Sequence, residues 1–367
     1  MKIDAAVVSK EGGAFEIEPL LLGEPQPDEI VVRIAGVGVC HTDLVCRDQY
    51  FPVPLPCVFG HEGSGIVEKI GASVTRVQPG DHVVLSFSSC QVCANCIAGK
   101  PAYCHQLYQH NFLGTRTDGS SALSRDGKTV HGHFFSQSSF GTYAIASQRN
   151  TVKVDPQVPL WLLGPLGCGV QTGAGAVINS LQPKAGTSIA VFGAGTVGLS
   201  AIMAARLCGC ATIVAVDPVE ARRQLALELG ATHVIDPGSA DPVARIQALT
   251  GTGVNFSLEC TGLPAVARQA VDSLTLTGVC GVIGVSRLGT ELKLDMNGIL
   301  FGRTVRGIIE GDSVAQEFIP RLIDLYRQGR FPFDKLVTAF EFGRIQAAVE
   351  ASEQGKVVKA VLRMPGF

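Results

Sequence analysis

The sequence predicts a two-domain α/β protein, in which a β-rich domain is interrupted by a domain with a doubly wound parallel sheet. The chain has 367 residues, which is more than one hydrophobic core usually serves. Short alternating apolar runs between Gly and Pro turns fill residues 1–150, as in antiparallel strands. From about residue 165 to 295, apolar strands alternate with amphipathic helices, which is typical of a parallel sheet.

The end of the chain is expected to return to the first domain. The strand–helix alternation stops near residue 295, and separate helices at 315–328 and 344–354 precede a last strand at 359–363. We therefore predict that residues 1–169 and 309–367 form the β-rich domain, with residues 170–308 inserted. Residues 103–133 are expected to form an irregular loop.

Composition excludes several classes of function. A net charge of −2 without a basic run argues against a nucleic-acid partner or an anionic membrane surface. Residues 185–205 carry no charge, but four glycines and four hydroxyl side chains favour a strand–turn–helix unit over a membrane span. Twelve cysteines without a secretion-signal pattern indicate a reducing compartment, so we expect a cytoplasmic protein.

One stretch of the predicted β-rich domain brings together side chains that zinc prefers. It reads Cys40-His41-Thr42-Asp43 and, after a proline-broken loop, Gly60-His61-Glu62. A catalytic zinc takes three protein ligands and keeps a fourth position open. Taken alone, one cysteine and one histidine are more often a buried thiol and a hydrogen-bonded ring. The pair is therefore a hypothesis that needs support from the rest of the chain.

A glycine-rich turn predicts a dinucleotide site of the Rossmann type. Gly193, Gly195 and Gly198 form G-x-G-x-x-G between an apolar strand and a helical pattern. In this motif the glycines make a tight turn, let the backbone approach a pyrophosphate, and pack the helix on the strand. The start of the following helix supplies free N–H groups to the phosphates.

The next predicted strand ends at Asp217, which favours NAD over NADP. An acid there accepts hydrogen bonds from the ribose hydroxyls and repels a 2′-phosphate. Arg222 and Arg223 lie close by in the sequence and leave some use of NADP open, because basic side chains accommodate that phosphate.

Four cysteines with regular spacing predict a structural metal site. They occur as Cys90-x2-Cys93-x2-Cys96-x7-Cys104. Four thiolates close a zinc tetrahedron and leave no position for a substrate. An iron–sulfur cluster is the alternative, since it also uses closely spaced cysteines.

Taken together, these motifs resemble the zinc-dependent alcohol dehydrogenases of the medium-chain dehydrogenase/reductase superfamily over the whole chain. Further matching pieces are Gly80-Asp81 and Gly167-Cys168-Gly169. Residues 36–45 and 164–169 are most similar to the bacterial aryl-alcohol (benzyl alcohol) and geraniol dehydrogenases. The resemblance implies a GroES-like fold for the β-rich catalytic domain and a Rossmann fold for the inserted one.

The resemblance also implies roles for individual residues. Cys40, His61 and Cys168 would hold the catalytic zinc, with Glu62 near enough to exchange in as a ligand. Asp43 would hold the other nitrogen of the histidine ligand, and Thr42 would bond the substrate oxygen. Thr172 and Val197 would contact the nicotinamide, and Lys359 and His41 would lie near the pyrophosphate. The inner substrate pocket would include Phe87 and Phe134.

One departure from the family concerns the path of the proton. Many relatives carry a histidine where this chain has Val45, so the usual proton relay is interrupted. His41 is then either a proton acceptor or only a contact to the cofactor phosphates, and both readings stay open.

The predicted function is reversible oxidation of primary aromatic or allylic alcohols to aldehydes, with two zinc ions per chain and NAD. Hydride would pass from a zinc-bound alkoxide to C4 of the nicotinamide. One alternative is another medium-chain alcohol oxidation, such as that of geraniol or other terpene alcohols, or glutathione-dependent formaldehyde oxidation. A non-catalytic nucleotide-binding protein is a further alternative. The expected partners are a small alcohol or aldehyde and other copies of the chain, as a dimer or tetramer.

Overall fold

A computed structural model describes residues 1–367, which divide into two compact units. Unit 1 comprises Met1–Cys168, Val314–Asp324 and Asp334–Phe367, and unit 2 comprises Gly169–Ser313 and Leu325–Phe333. The predicted boundaries at 169/170 and 308/309 lie one and five residues from those of the structure, and the short segment 325–333 was not foreseen in unit 2. No helix combines the length and the apolar character needed to cross a bilayer.

The secondary structure consists of eighteen strands and eleven α-helices, besides short 3₁₀ turns and a π-helix at Ala176–Leu181. The strands are β1 (Lys2–Val8), β2 (Glu16–Leu22), β3 (Glu29–Gly38), β4 (Cys57–Val58), β5 (Gly63–Ile70), β6 (His82–Leu85), β7 (Leu123–Arg125), β8 (Lys128–Val130), β9 (Tyr143–Ser147), β10 (Thr151–Lys153), β11 (Ser188–Phe192), β12 (Thr212–Val216), β13 (His233–Ile235), β14 (Val254–Glu259), β15 (Leu274–Val282), β16 (Thr304–Gly307), β17 (Val337–Glu341) and β18 (Lys359–Arg363). The helices are α1 (His41–Arg47), α2 (Ala94–Ile97), α3 (Leu107–Asn111), α4 (Gly169–Gly175), α5 (Thr196–Leu207), α6 (Glu220–Leu229), α7 (Pro242–Thr250), α8 (Pro264–Asp272), α9 (Met296–Leu300), α10 (Ala315–Arg327) and α11 (Ile345–Glu353).

Unit 1 is built on two sheets that are almost entirely antiparallel. One has the order β4-β1-β2-β7-β8, and the other has the order β10-β6-β5-β3-β18-β17 with β9 also paired to β3. Strand β3 is the centre of the second sheet, and nine of its ten residues are buried. A strand that is covered on both faces reads as a continuous apolar run, which is what the sequence shows there. Its carboxyl end leads directly to Cys40.

Unit 2 confirms the predicted doubly wound sheet. Its six strands are all parallel in the order β13-β12-β11-β14-β15-β16, the order of the Rossmann fold. Strands β11 and β12 are buried except at their first residues, and Phe192 and Val216 belong to the apolar core. The order reverses between β11 and β14, and in such sheets ligands bind at the carboxyl ends beside that reversal.

The prediction of an irregular loop over residues 103–133 is wrong. Helix α3 and the hairpin β7–β8 lie within it. The hairpin turns at Asp126 and Gly127, whose φ angles are 50° and 74°. An Asp-Gly pair with positive φ at both residues is the signature of a tight two-residue hairpin, and that signal is present in the sequence.

Candidate active site

Unit 1 brings four potential metal ligands together near the carboxyl end of β3. The ligand atoms of Cys40, His61, Glu62 and Cys168 all lie within 4.8 Å of one another. Cys40 caps helix α1 directly after β3, and the pair His61-Glu62 directly precedes β5. Cys168 follows a 3₁₀ turn at Gly164–Gly167, whose Gly167 carbonyl accepts a hydrogen bond from Ser86 Oγ at 2.6 Å.

The carboxylate of Asp43 organises this cluster. Its Oδ1 lies 2.9 Å from His61 Nδ1 and accepts the Gly60 N–H at 3.0 Å, while its Oδ2 accepts the Cys40 N–H at 2.9 Å. Asp43 and His61 are completely buried. Because Nδ1 faces a carboxylate, it carries the proton, and the lone pair is on Nε2.

The donor set of the cluster fits zinc. His61 Nε2 is buried and makes no hydrogen bond, which is costly unless a metal takes the lone pair. Cys168, which hydrogen-bonds to Cys40, lowers the pKa of the Cys40 thiol well below its usual value, against the effect of burial. Burial lowers the pKa of His61, but the charges of Asp43 and Cys40 outweigh it and raise that pKa. Two sulfurs and one imidazole nitrogen are a common ligand set of catalytic zinc.

Glu62 faces the cluster but is held by a cation. Lys359 Nζ donates to both carboxylate oxygens, at 3.0 and 2.9 Å, and to the Val39 carbonyl at 3.0 Å. Both side chains are buried, with exposed fractions of 3% for Lys359 and 0% for Glu62. This position differs from the implied role of Lys359 beside the cofactor pyrophosphate, because a buried ammonium with three bonded hydrogens has none left for a phosphate.

An aromatic wall lies against the histidine of the cluster. The ring of Phe135 stacks on His61 with centroids 4.5 Å apart, and Phe134 meets it edge-on at 5.5 Å. Gln137 Nε2 donates to the His61 carbonyl at 2.9 Å. The resemblance had indicated Phe134 only; Phe135 adjoins it in the sequence, but no sequence pattern marks Gln137.

The segment that carries this wall has an unusual backbone. His133, Phe135, Ser136 and Ser138 have φ angles between 46° and 59°. Positive φ is uncommon for residues other than glycine, and such residues concentrate at functional sites. The surrounding fold holds the segment through Ser138 Oγ, which donates to the Val58 carbonyl at 2.6 Å and accepts the Phe134 N–H at 2.9 Å.

Three other predicted site residues do not take part in the contacts described so far. His41 is exposed at the start of α1, and Thr42 Oγ1 lies 3.9 Å from Cys40 Sγ. Phe87 does not join the aromatic wall. It lines a separate cavity of about 600 Å³ beside the four-cysteine segment, together with Arg76 and Arg149.

The four-cysteine lobe, residues 90–104, gathers its thiols as the spacing predicts. The Sγ atoms of Cys90, Cys93, Cys96 and Cys104 lie within 4.8 Å of one another, with 3.9 Å between Cys90 and Cys96. Four sulfurs bound about 2.3 Å from one zinc are roughly 3.8 Å apart, so this spacing suits a single ion better than a multi-iron cluster. Backbone N–H groups donate to the sulfurs of Cys90 and Cys104 at 3.3–3.4 Å.

In unit 2 the glycine turn has the shape of a phosphate site. Gly193 has a φ of 94°, and a Cβ on Gly198 would lie 1.8 Å from the Gly193 carbonyl. A Cβ on Gly195, by contrast, would point into open space at the start of α5. A pyrophosphate fits that space, where backbone N–H groups of the helix point outward.

Asp217 adjoins this turn. Its Oδ2 accepts the Ala194 N–H at 2.7 Å and its Oδ1 accepts the Val219 N–H at 2.8 Å. Each oxygen retains acceptor capacity, so the ribose hydroxyls have partners there. Arg223 Nη1 donates to the Asp217 carbonyl at 2.8 Å, which turns that guanidinium to the backbone.

The two residues implied at the nicotinamide lie on adjoining helices of unit 2. Thr172 is in α4 and Val197 is in the first turn of α5. A Cβ on Gly173 would lie 1.9 Å from the Val197 carbonyl, so the two backbones are in direct contact. Thr172 Oγ1 also lies 3.4 Å from a carboxylate oxygen of Glu310.

Comparison with known proteins agrees with these features. The sequence model of the alcohol dehydrogenase GroES-like domain matches residues 26–156, and that of the zinc-binding dehydrogenases matches residues 196–328. The chain is 50% identical to a geraniol dehydrogenase of Castellaniella defragrans over 361 residues, which are 98% of this chain and 96% of that protein.

Solved structures give the same result over the full length. The crystal structure of benzyl alcohol dehydrogenase from Acinetobacter calcoaceticus has a TM-score of 0.96 and 49% identity, covering 99% of both chains. An alcohol dehydrogenase zinc-binding domain protein from Burkholderia ambifaria has a TM-score of 0.97 and 52% identity, covering 100% of this chain and 99% of that one. The chain therefore belongs to the zinc-dependent alcohol dehydrogenases of the medium-chain dehydrogenase/reductase superfamily, whose cofactors are zinc and NAD.

Proposed function

We propose that this alcohol dehydrogenase oxidises primary alcohols whose reacting carbon is attached to an aromatic ring or a double bond. The observation that carries the proposal is the aromatic wall, with Phe135 stacked on His61 at 4.5 Å and Phe134 edge-on. Flat conjugated groups pack favourably against aromatic faces and edges. The resemblance to a geraniol dehydrogenase and to a benzyl alcohol dehydrogenase points to the same substrate class.

The apolar surroundings of the wall extend to an open groove. Phe112 contacts Phe135 at 5.2 Å and Phe134 at 6.1 Å between ring centroids. Phe112 also lines a groove of about 540 Å³ with Val53 and Leu55. An isoprenoid tail as long as that of geraniol is apolar enough to use such a surface, so both benzylic and allylic alcohols are included.

The chain would hold its cofactors with the residues described above. Cys40, His61 and Cys168 would bind one zinc, which supplies a Lewis acid that makes an alcohol oxygen more acidic, and NAD supplies the hydride acceptor. Asp43 keeps the proton of His61 on Nδ1, so that Nε2 stays available as a ligand. The complete burial of His61 and Glu62 keeps bulk water away from this face of the site.

Thr42 and His41 are proposed to handle the proton of the alcohol. The hydroxyl of Thr42 is a donor and an acceptor next to Cys40, which suits a contact to the substrate oxygen. Val45 is buried and has no proton to exchange. His41 is exposed at the helix start, from which a proton can pass to solvent.

On the cofactor side, the glycine turn would bind the pyrophosphate and Asp217 the adenosine ribose. Thr172 and Val197 are proposed to contact the nicotinamide. Arg222 is proposed to permit some binding of NADP, whereas Arg223 is held by the Asp217 carbonyl.

We also propose a cytoplasmic dimer or tetramer. A sequence with twelve cysteines and no secretion-signal pattern is typical of a protein from a reducing compartment. Strand β16 is an edge of the parallel sheet, and the exposed side chains of Leu300 and Phe301 precede it, so sheet edges could pair between copies. Light scattering coupled to size-exclusion chromatography measures the oligomeric state directly.

A substrate screen tests the proposed function. Benzyl alcohol, cinnamyl alcohol, geraniol, 1-hexanol and cyclohexylmethanol are compared by kcat/KM with NAD⁺ and NADP⁺. We expect the three benzylic or allylic alcohols to exceed the two saturated ones in kcat/KM by about tenfold or more, which corresponds to about 1.4 kcal/mol of binding in the transition state. Equal values for benzyl alcohol and cyclohexylmethanol would contradict the proposal.

The variant Phe135→Leu tests whether the aromatic wall causes the preference for benzylic and allylic alcohols. The substitution keeps an apolar side chain of similar reach but removes the aromatic face, so the ratio of benzyl alcohol to 1-hexanol should fall. Phe51→Leu is the control, because Phe51 contacts Phe112 at 5.6 Å but makes no ring contact with His61. An unchanged ratio in Phe135→Leu would remove the aromatic wall from the explanation.

A further inference from the structure

The buried ion pair between Lys359 and Glu62 lies beside the cluster of potential zinc ligands, where such a pair is unusual. The ammonium contacts both carboxylate oxygens, and both side chains are excluded from water. Burying two charges costs several kcal/mol per ion unless partners compensate for the lost hydration, so such a pair needs a reason beyond stability.

The backbone around Glu62 makes room for this arrangement. A Cβ on Gly38 would lie 1.9 Å from Glu62 Oε2, which is closer than any real contact. Lys359 opens β18, which pairs with the end of β3, and its third hydrogen bond goes to the carbonyl of Val39. The carboxylate is therefore fixed from two sides, by space at Gly38 and by charge at Lys359.

The lysine offsets part of the negative charge of the cluster. Two thiolates and the carboxylates of Glu62 and Asp43 carry four negative charges, and one zinc and the Lys359 ammonium carry three positive ones. A buried site tolerates a net charge poorly. Without the lysine, the same groups would leave two uncompensated negative charges, and the Glu62 carboxylate would have the metal as its nearest cation.

We propose that Lys359 is a positioning residue that keeps Glu62 off the catalytic metal and so leaves a coordination position for the alcohol. The inference rests on the proposed catalytic zinc. The carboxylate is within 4.8 Å of the other three ligand atoms, so a modest shift brings it to the ion. A catalytic zinc needs three protein ligands and an open place, and a fourth carboxylate ligand would close it.

The experiment uses full-length enzyme in which cobalt(II) replaces zinc, with imidazole as a neutral probe of the open position. Imidazole binding is followed by the visible d–d bands, and the four-cysteine site adds a constant background to every variant. In Lys359→Met we expect the starting bands to change, because Glu62 becomes a ligand, and imidazole affinity to fall about tenfold or more.

Two further variants separate this effect from general damage. The double variant Lys359→Met/Glu62→Gln restores the net charge of the wild-type site and removes the competing carboxylate, so it should regain imidazole affinity. Gly38→Ala displaces the carboxylate from the other side and should change the bands in the same direction as Lys359→Met. It also provides the test if Lys359→Met does not fold.

Three results have distinct meanings. Wild-type bands and wild-type imidazole affinity in Lys359→Met, or in Gly38→Ala if that variant alone folds, would overturn the inference. A double variant as weak in imidazole binding as Lys359→Met would also overturn it, because the carboxylate would not be the competitor. If the wild-type protein holds only the cobalt of the four-cysteine site, then the proposed catalytic metal itself is wrong.

Discussion

The two candidate metal sites of unit 1 are built in opposite ways. The four-cysteine lobe takes all its ligands from residues 90–104, and short backbone N–H contacts of 3.3–3.4 Å support its sulfurs. The other cluster collects ligands from Cys40 to Cys168, and a carboxylate and an ammonium support it, the latter from residue 359. Cys93 and Cys96 are partly exposed, whereas His61 and Glu62 are completely buried.

This difference is the one expected between a structural metal site and a catalytic one, the roles proposed for the four-cysteine lobe and for the cluster around His61. Four thiolates complete a tetrahedron with local contacts alone, so the lobe needs little from the rest of the fold. A site with an open position needs its remaining ligands and their charges controlled by other parts of the chain. Metal binding by the cluster around His61 should consequently respond to substitutions far away in the sequence, whereas metal binding by the four-cysteine lobe should not.

The largest expected effect comes from the ligands themselves. His61→Ala should reduce turnover to background while NADH binding, measured by fluorescence, remains, because the glycine turn belongs to unit 2. Turnover close to wild type would place the chemistry elsewhere.

A loss of 10- to 100-fold in kcat/KM is expected for Asp43→Asn, the range typical for the partner of a metal-bound histidine. The neutral amide no longer stabilises the Nδ1 proton of His61, and it also weakens the contact to the Cys40 N–H. Zinc release to a chelator should accelerate in parallel. The matched control is Asp48→Asn, at the other end of α1 with a partly exposed side chain paired to Arg47. Equal losses in both variants would show that the helix, not the histidine, is affected.

Cys96→Ser should show the reverse pattern, with a smaller loss of turnover than Asp43→Asn but a clear loss of thermal stability. Structural zinc contributes directly to the free energy of unfolding, and a serine replaces a thiolate poorly. Differential scanning calorimetry and metal content by mass spectrometry give both quantities. If Cys96→Ser lost turnover as strongly as His61→Ala while remaining folded, the contrast between the two sites would fail.

The smallest effect on turnover at neutral pH is expected for His133→Asn, which alters the strained segment beside His61. Burial lowers the pKa of His133 to about 4 from an ordinary 6.5. The unfolded chain therefore takes up this proton first as the pH falls, and the free energy of unfolding decreases by up to about 3 kcal/mol between pH 6.5 and 4.

Asparagine at position 133 tolerates the positive φ and does not titrate. The melting temperature of the His133→Asn variant should fall less between pH 7 and pH 5 than that of the wild type. Parallel curves would show that His133 is not the group responsible.

Much of the fold could be predicted because its signals are local. The strand–glycine turn–helix unit around Gly193 and the spacing from Cys90 to Cys104 each depend on contacts within a few residues, and the structure has both as expected. The hairpin at Asp126 and Gly127 has an equally local signal that the prediction overlooked. The strained segment at 133–138 could not be foreseen, because contacts to Val58 and to His61, distant in sequence, hold it in place.

The sequence by itself indicated the doubly wound sheet and the four-cysteine site, because periodicity and spacing encode short-range geometry. Its resemblance to known proteins indicated the family and the ligand Cys168. Only the tertiary structure decided what surrounds those residues. In the folded protein Phe135 stacks on His61, and Phe87 lines another cavity. Lys359 contacts Glu62 instead of the expected cofactor phosphate. The physical reason is that a buried charge selects its partner by distance and desolvation in the folded state, and residues 62 and 359 meet only when β18 pairs with β3.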